Sequence, residues 1–422
     1  MRVCMLVHEL SPSGGVNVIL SHARGLQAAG HEVVLVATGG RAAPAPDGIE
    51  LRELRDVRDG SYDWAVATWW ETAPALYELD ARRRMVLLQS FEQRFYTAAE
   101  PLHQLGAAAV LALPADFVVV SEWMCDALGE LTPDAQCVVV RNGVDKQTFA
   151  SRRREPREGP LRVLVEGQPT LWFKGVRQAL EAARAMAEPA EVTLVAIDPS
   201  GAGELDADRV VGGLSREEMA ELYADTDVLV KLSRIEGLGL PLVEAAHVGV
   251  PCVVTPFGAH ADLVEHGRNG LVVGHDDRAG VTWALDLLAR DRDLLERLSA
   301  GALERVQDWP DLMDSGRSFA AALDELDSGS SPPAEPAVAR LLAAIRLARA
   351  TARGGTGDLQ GVLDETTAAL AQAQSLVHEL SVSRDDCAAM LDEARSELDD
   401  IRSTFSYRAV RKARALVGRR RG

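Results

Sequence analysis

Short apolar runs alternate with helical patterns through the first 150 residues. The runs fall at residues 3–7, 32–36, 64–67, 85–88, 117–120 and 137–140, and the first helical pattern opens at the turn Ser13-Gly14-Gly15 and extends to about Ala29. Strand–helix alternation of this kind predicts a doubly wound, mostly parallel sheet. A second series repeats the scheme, with apolar runs at 161–165, 192–196, 228–232, 252–255 and 271–273 and helices opening near Gly175 and just after Glu236. Residues 151–160 are charged and broken by prolines, which marks an interdomain linker. The expected fold is therefore α/β, with two Rossmann-like doubly wound domains over residues 1–150 and 161–326, the second closed by a helix after Trp309-Pro310.

The pattern changes character beyond residue 326. Residues 327–339 read as a flexible linker by composition. Over 340–402, Leu363, Leu370, Val377, Arg384, Leu391 and Leu398 recur every seven residues, with Ala373, Leu380, Cys387, Ala394 and Ile401 three positions after the later members. These are the a and d positions of a helical coiled coil about 55–60 Å long at 1.5 Å per residue, and a homodimer through 363–401 is its simplest use. A single helix packed on its own globular part fits the same pattern. Residues 403–422 carry many arginines and no acid, with Val410, Ala413, Leu416 and Val417 on one helical face. Such a tail suits a basic amphipathic helix on an anionic membrane surface, or a solvated basic tail.

The whole chain is nonetheless acidic, with 63 Asp and Glu against 45 Lys and Arg and a formal net charge of −18. That balance argues against nucleic acid as a partner. Five cysteines are scattered without metal-ligand spacing, so neither a zinc site nor a disulfide framework is expected. No apolar run reaches membrane-spanning length and the first residues lack a leader pattern, so the expected location is cytoplasmic, peripheral on the inner membrane face if the tail binds there.

The densest chemistry lies in Glu236-Gly-Leu-Gly-Leu-Pro-Leu-Val-Glu244, two carboxylates separated by seven residues across a glycine-rich turn that opens a helix. Glycines at 237 and 239 permit close backbone approach to a ligand, and free N–H groups at the helix start can receive a phosphate. Glu244, two turns in, is placed to accept hydrogen bonds from ribose hydroxyls. This segment, with the Ala-Ala-His-Val-Gly-Val-Pro that trails it, resembles the retaining group 1 glycosyltransferases of GT-B fold, whose signature is Glu, seven residues, Glu.

The resemblance covers about residues 1–326 and implies a role for each matching position. Glu236 and Lys174 would act at the reaction centre, Glu236 on the transferred sugar and Lys174 as a point charge on the donor diphosphate. The donor would be held by Gly14, Gly15, Gln168, Lys174, Gly237, Leu238, Gly239, Leu240 and Glu244. Gln168 stands where the family usually has an arginine, so half of the expected cationic clamp is missing. Trp172 and Phe173 beside the lysine either shape the pocket or cover the second domain. Gln89-Ser-Phe-Glu-Gln-Arg-Phe-Tyr96 resembles a segment of a rhamnosyltransferase-like branch, which makes Gln89 and Glu92 candidates for sugar or acceptor contacts; Phe91 and Phe95 serve equally well as packing anchors. Asn142-Gly-Val-Asp145 matches the family's exit from the first domain, where a tight turn is needed.

The implied activity is transfer of a sugar from a nucleoside diphosphate to a saccharide or lipid-linked saccharide, in the assembly of cell-surface polysaccharide. No cofactor and no metal is called for, because no Asp-x-Asp pair sits at a predicted strand end. Two other readings keep the fold: a nucleotide-sugar epimerase or glycogen-synthase-like polymerase, and a decayed transferase that serves as a coiled-coil scaffold. Retention of Glu236, Glu244, Lys174 and both glycine turns speaks against the scaffold, which has no physical need of them.

Overall fold

The computed structural model describes residues 1–11, 13–39, 48–133, 135–151, 158–203 and 205–327. The linker over 327–339, the heptads of 340–402 and the basic tail of 403–422 lie outside the described residues, apart from Asp327.

Two parallel sheets organise these residues. The first contains β1 (Arg2–Val7), β2 (Glu32–Ala37), β3 (Glu50–Glu53), β4 (Ser61–Ala67), β5 (Asp80–Leu88), β6 (Asp116–Val119) and β7 (Cys137–Val139), in the order β3-β2-β1-β4-β5-β6-β7. The second contains β8 (Leu161–Glu166), β9 (Ala190–Ala196), β10 (Arg209–Gly212), β11 (Val228–Lys231), β12 (Cys252–Val254) and β13 (Gly270–Val272), in the order β10-β9-β8-β11-β12-β13. Met5 of β1 pairs with Leu35 of β2 on one side and Val66 of β4 on the other, which places β1 at the centre. Its apolar side chains are buried on both faces, as a parallel strand covered by helices requires. Each sheet reverses its winding at one point, between β1 and β4 and between β8 and β11, and ligands of open α/β sheets bind outside the carboxyl ends of the strands there.

The edge strands β3 and β10 have no apolar run to announce them. Glu50-Leu-Arg-Glu53 is largely exposed and is a strand because β2 offers its edge, in the register Leu35 with Leu51.

The last helix departs from the expected domain boundary. Leu312–Asp327 continues the second domain in sequence but packs on the first, where Phe319, Leu323 and Leu326 join Val3, Met5 and Leu26 in one core. It lies against the helix Gly14–Ala28: the rings of His22 and Phe319 stack at 4.5 Å. A Cβ built on Gly25 would lie 2.2 Å from Gly316 Cα, so both glycines are needed for the backbones to approach. The crossing is pinned where Trp309 Nε1 donates to the Asn142 carbonyl at 2.9 Å and Ser315 Oγ to that of Arg141 at 2.7 Å. Asn142-Gly-Val-Asp145 is thus one half of the joint between domains, and a side chain at 143 would strike the Asp311 carbonyl.

The expectation of no disulfide is corrected. Cys125, on the helix Glu122–Leu131, is bonded to Cys137 of β7, with their Cα atoms 5.9 Å apart. Cys4 and Cys252 are free and buried.

Candidate active site

Strands β8 and β11 lie side by side, Val165 opposite Val230, so the next residue of each, Glu166 and Lys231, stands at the switch point of the second sheet. Both chains continue from there into the site. After β8 comes Gly167 and then the single turn Trp172–Lys174, ended by Gly175 in the left-handed region at φ 65°, its α-carbon held against the Leu232 carbonyl. After β11 come Ser233 and Glu236, and then Gly239 at φ 89°, the cap of the helix Leu240–His247. These two left-handed glycines turn Lys174 and Glu236 toward each other.

Three donors converge on one carboxylate oxygen. Glu236 Oε1 accepts from Lys174 Nζ at 2.7 Å, Ser233 Oγ at 2.8 Å and Lys231 Nζ at 2.9 Å. Lys231 also pairs with Glu166 and is 1% exposed. Burial alone would push the Glu236 carboxyl up, but the charges of Lys231 and Lys174 outweigh it and hold it at about 2. For Lys231, burial pulls down and the two carboxylates more than restore it, so its pKa lies above the ordinary lysine value. Glu244 is different: burial, with the like charge of Glu166, raises it to about 7, and Tyr223 donates to it at 3.4 Å.

The first domain reaches this cluster through Gln89, at the carboxyl end of β5. Gln89 Nε2 donates to the Gly15 carbonyl at 3.2 Å, tying it to the turn capped by Ser13, whose Oγ accepts from the Val16 N–H at 3.2 Å. The Gln89 backbone carbonyl lies over Gly237, and Ser121 Oγ and Trp123 Nε1 donate to the Gly237 carbonyl at 3.1 and 3.2 Å. The structure therefore brings together Gly15, Gln89, Lys174, Glu236, Gly237 and Glu244, with Gly14 beside open space.

Four sequence expectations are revised here. Gly237 lacks a side chain because the Gln89 carbonyl occupies the space, a contact between domains rather than room for a ligand. Leu238 is 3% exposed and contributes packing, leaving only its backbone to a donor. Gln168 is turned away, its amide exchanging hydrogen bonds with the Asp198 backbone at 2.7 and 3.1 Å. Glu92 is buried and accepts the Trp70 N–H at 2.7 Å, so it caps a turn of its own domain instead of facing the cleft. Glu166 and Lys231 were missed. Each reads as a lone charge at a strand end, and only the sheet order makes them neighbours.

Comparison with known proteins identifies the fold. The fold is GT-B: sucrose-phosphate synthase from Thermosynechococcus elongatus superposes with a TM-score of 0.65 at 16% identity, over 78% of this chain and 100% of that one. Anabaena HepE, solved with UDP and glucose, gives 0.62 at 15% identity, over 77% and 100%. Residues 147–305 match the family described as "Glycosyl transferases group 1". Glycogen synthase of Mycobacterium tuberculosis is 29% identical over 190 residues, 42% of this chain and 46% of that protein. The chain thus matches about half the length of this curated relative. Among the described residues no helix is long and apolar enough to cross a membrane.

Proposed function

We propose that the protein transfers a sugar from a nucleoside diphosphate to a saccharide or lipid-linked saccharide, with retention at the anomeric carbon. The observation that carries this reading is the Lys174–Glu236 pair at the switch point of a group 1 domain, beside a helix N-terminus and facing a glycine turn of the other domain. HepE, of the same fold, is described with UDP and glucose, which favours a nucleotide-sugar donor.

In this reading Lys174 exchanges Glu236 for the distal phosphate, while Lys231 stays on Glu236 and keeps it ionised beside the transferred sugar. The bond from the anomeric carbon to the phosphate oxygen breaks with its electron pair on that oxygen. The acceptor hydroxyl adds from the same face, and its proton passes to the departing phosphate. Lys174 and the N–H groups at the start of Leu240–His247 oppose the charge that develops on the leaving group, and this proposal needs no metal.

Nucleoside-diphosphate release from dTDP-rhamnose, GDP-mannose and UDP-hexoses, measured beside Glu236→Ala and Lys174→Ala, tests it. Release from one donor, reduced on the order of a hundredfold in both variants, is the expected result. The engagement of Gln168 by Asp198 favours one other reading, a scaffold that has lost its phosphate clamp. Failure of every donor to bind or turn over with acceptors present would move that reading to the front.

A further inference from the structure

A groove of about 870 Å³ runs along the seam of the two domains, within the range of roughly 300–1,000 Å³ usual for ligand sites. Its walls come from the segment after Glu92 and the helix Pro101–Val110 on one side, and from Trp172, Arg234 and Ile235 on the other. Trp172 is two residues from Lys174, and Arg234 two from Glu236, so the groove opens beside the reaction centre. The two sides are joined across it: Trp172 Nε1 donates to the Phe95 carbonyl at 3.0 Å, and Phe95 stacks on Phe173 at 4.9 Å.

The charge of this groove is opposite to that of the molecule. Two guanidiniums, Arg94 and Arg234, line it and no carboxylate does, in a chain of net charge −18. Arg234 shares its charge with exposed Asp276 outside the lining. Arg94 hydrogen-bonds the Arg234 carbonyl at 3.4 Å, and among the described residues no ion pair is found for it. Its side chain is exposed to solvent, and partial desolvation lowers its pKa from the ordinary arginine value. Gln93 lines the groove, and its Oε1 is buried with no hydrogen-bond partner among the described residues. Trp172, 50% exposed, offers a ring face to the apolar face of a sugar.

We propose that this groove is the acceptor site and that it selects a sugar bearing an anionic group, carboxylate or phosphate, with Arg94 as counter-charge and Trp172 as stacking face. The inference rests on the transferase reading for the word acceptor; the anion preference stands on the groove alone.

Saturation-transfer NMR on the full chain, with glucuronate, glucose 6-phosphate and glucose as probes, reads the preference directly. At least one anionic sugar should bind about tenfold more tightly than glucose, the size expected of one charge-assisted hydrogen bond. The difference should vanish in Arg94→Gln, persist in Arg94→Lys, and be accompanied by weaker binding of all three sugars in Trp172→Ala. Preference for glucuronate alone, or for glucose 6-phosphate alone, supports the proposal and assigns the anion. Equal binding of glucose, an unchanged preference in Arg94→Gln, or displacement of the sugars by an equal concentration of inorganic phosphate overturns it. UDP, GDP and dTDP binding, measured on the same samples, separates the two readings: absence of all nucleotide binding with the anion preference intact would sink the transferase and leave the groove standing.

Discussion

Lys231 donates to Glu236 across 2.9 Å from a position where 1% of its own side chain meets solvent. A lysine so placed is tolerable because it is shared by two carboxylates, Glu166 and Glu236, that would otherwise repel each other in the same low-dielectric space. Lys174 occupies the opposite situation, partly exposed and able to leave. The division of labour is physical: one cation fixes the ionisation of Glu236 and the other is free to follow a phosphate.

Lys231→Met removes the fixed cation, strands Glu166 and leaves Glu236 with Lys174 and Ser233 alone. It should lower unfolding stability by about 3–5 kcal/mol, the usual cost of breaking one side of a buried ion pair. Lys231→Met with Glu166→Gln should recover part of that loss, since one stranded charge goes with it. Denaturant unfolding of the two variants checks this, and equal stability of both would show that Glu166 does not depend on Lys231.

Glu92 sets a pH dependence of the opposite sign from Glu236. Burial, aided by nearby Glu71 and opposed by the Trp70 N–H, raises its carboxyl to about 8. The folded state therefore holds a proton that the unfolded chain gives up near 4.5, and stability contributed by Glu92 is lost as pH rises from about 4.5 through 8. Glu92→Gln keeps an oxygen for the Trp70 N–H without the titration. Relative to wild type it should gain on the order of 3 kcal/mol between pH 5.5 and pH 8.5. Glu236, held at about 2, adds stability that disappears only as pH falls from about 4.5 toward 2, so acid unfolding should be insensitive to Glu92→Gln in that window.

Most strands were legible because a strand buried on both faces must be a continuous apolar run, and residues 3–7 or 228–232 can be little else. The polar edge strand Glu50–Glu53 was not, since its only reason to be extended is the neighbour it pairs with. Lys174, Glu236 and Glu244 stood out through a local pattern of glycine and charge. Lys231 and Glu166 sit 65 positions apart and meet only because β8 and β11 are adjacent, a fact of topology that no local spacing encodes. The same holds for Cys125 and Cys137, brought to bonding distance by the packing of a helix on β7. The motif position of Gln168 places it at the donor site without the arginine's charge; its rotamer is decided by the Asp198 backbone, a loop away.

Gly25 and Gly316 mark where the closing helix returns to the first domain, with a Cβ on Gly316 falling 2.6 Å from Gly25 Cα. Gly316→Ala must push the helices apart, and overpacking of this kind costs about 1–3 kcal/mol even though alanine is the better helix former. The expected signature is a lowered denaturation midpoint together with faster amide exchange in residues 14–28 and 312–327. A stabilised Gly316→Ala would mean that the helices separate at no cost and that propensity alone governs the site.

Glu244 titrates near neutrality, and that makes its proposed hold on the donor ribose measurable. Burial and the charge of Glu166 raise it to about 7, so about half of the free protein carries a neutral Glu244 at that pH. A carboxylate accepts hydroxyl hydrogen bonds roughly 1 kcal/mol better than a carboxylic acid. Nucleoside-diphosphate affinity should therefore rise roughly three- to fourfold between pH 6 and pH 8 in wild type beyond any rise in Glu244→Gln. The titration of the ligand's own phosphate is common to both proteins, so the ratio of their affinities isolates the carboxyl. A ratio constant across that range would remove Glu244 from the donor site and leave it as a partner of Tyr223.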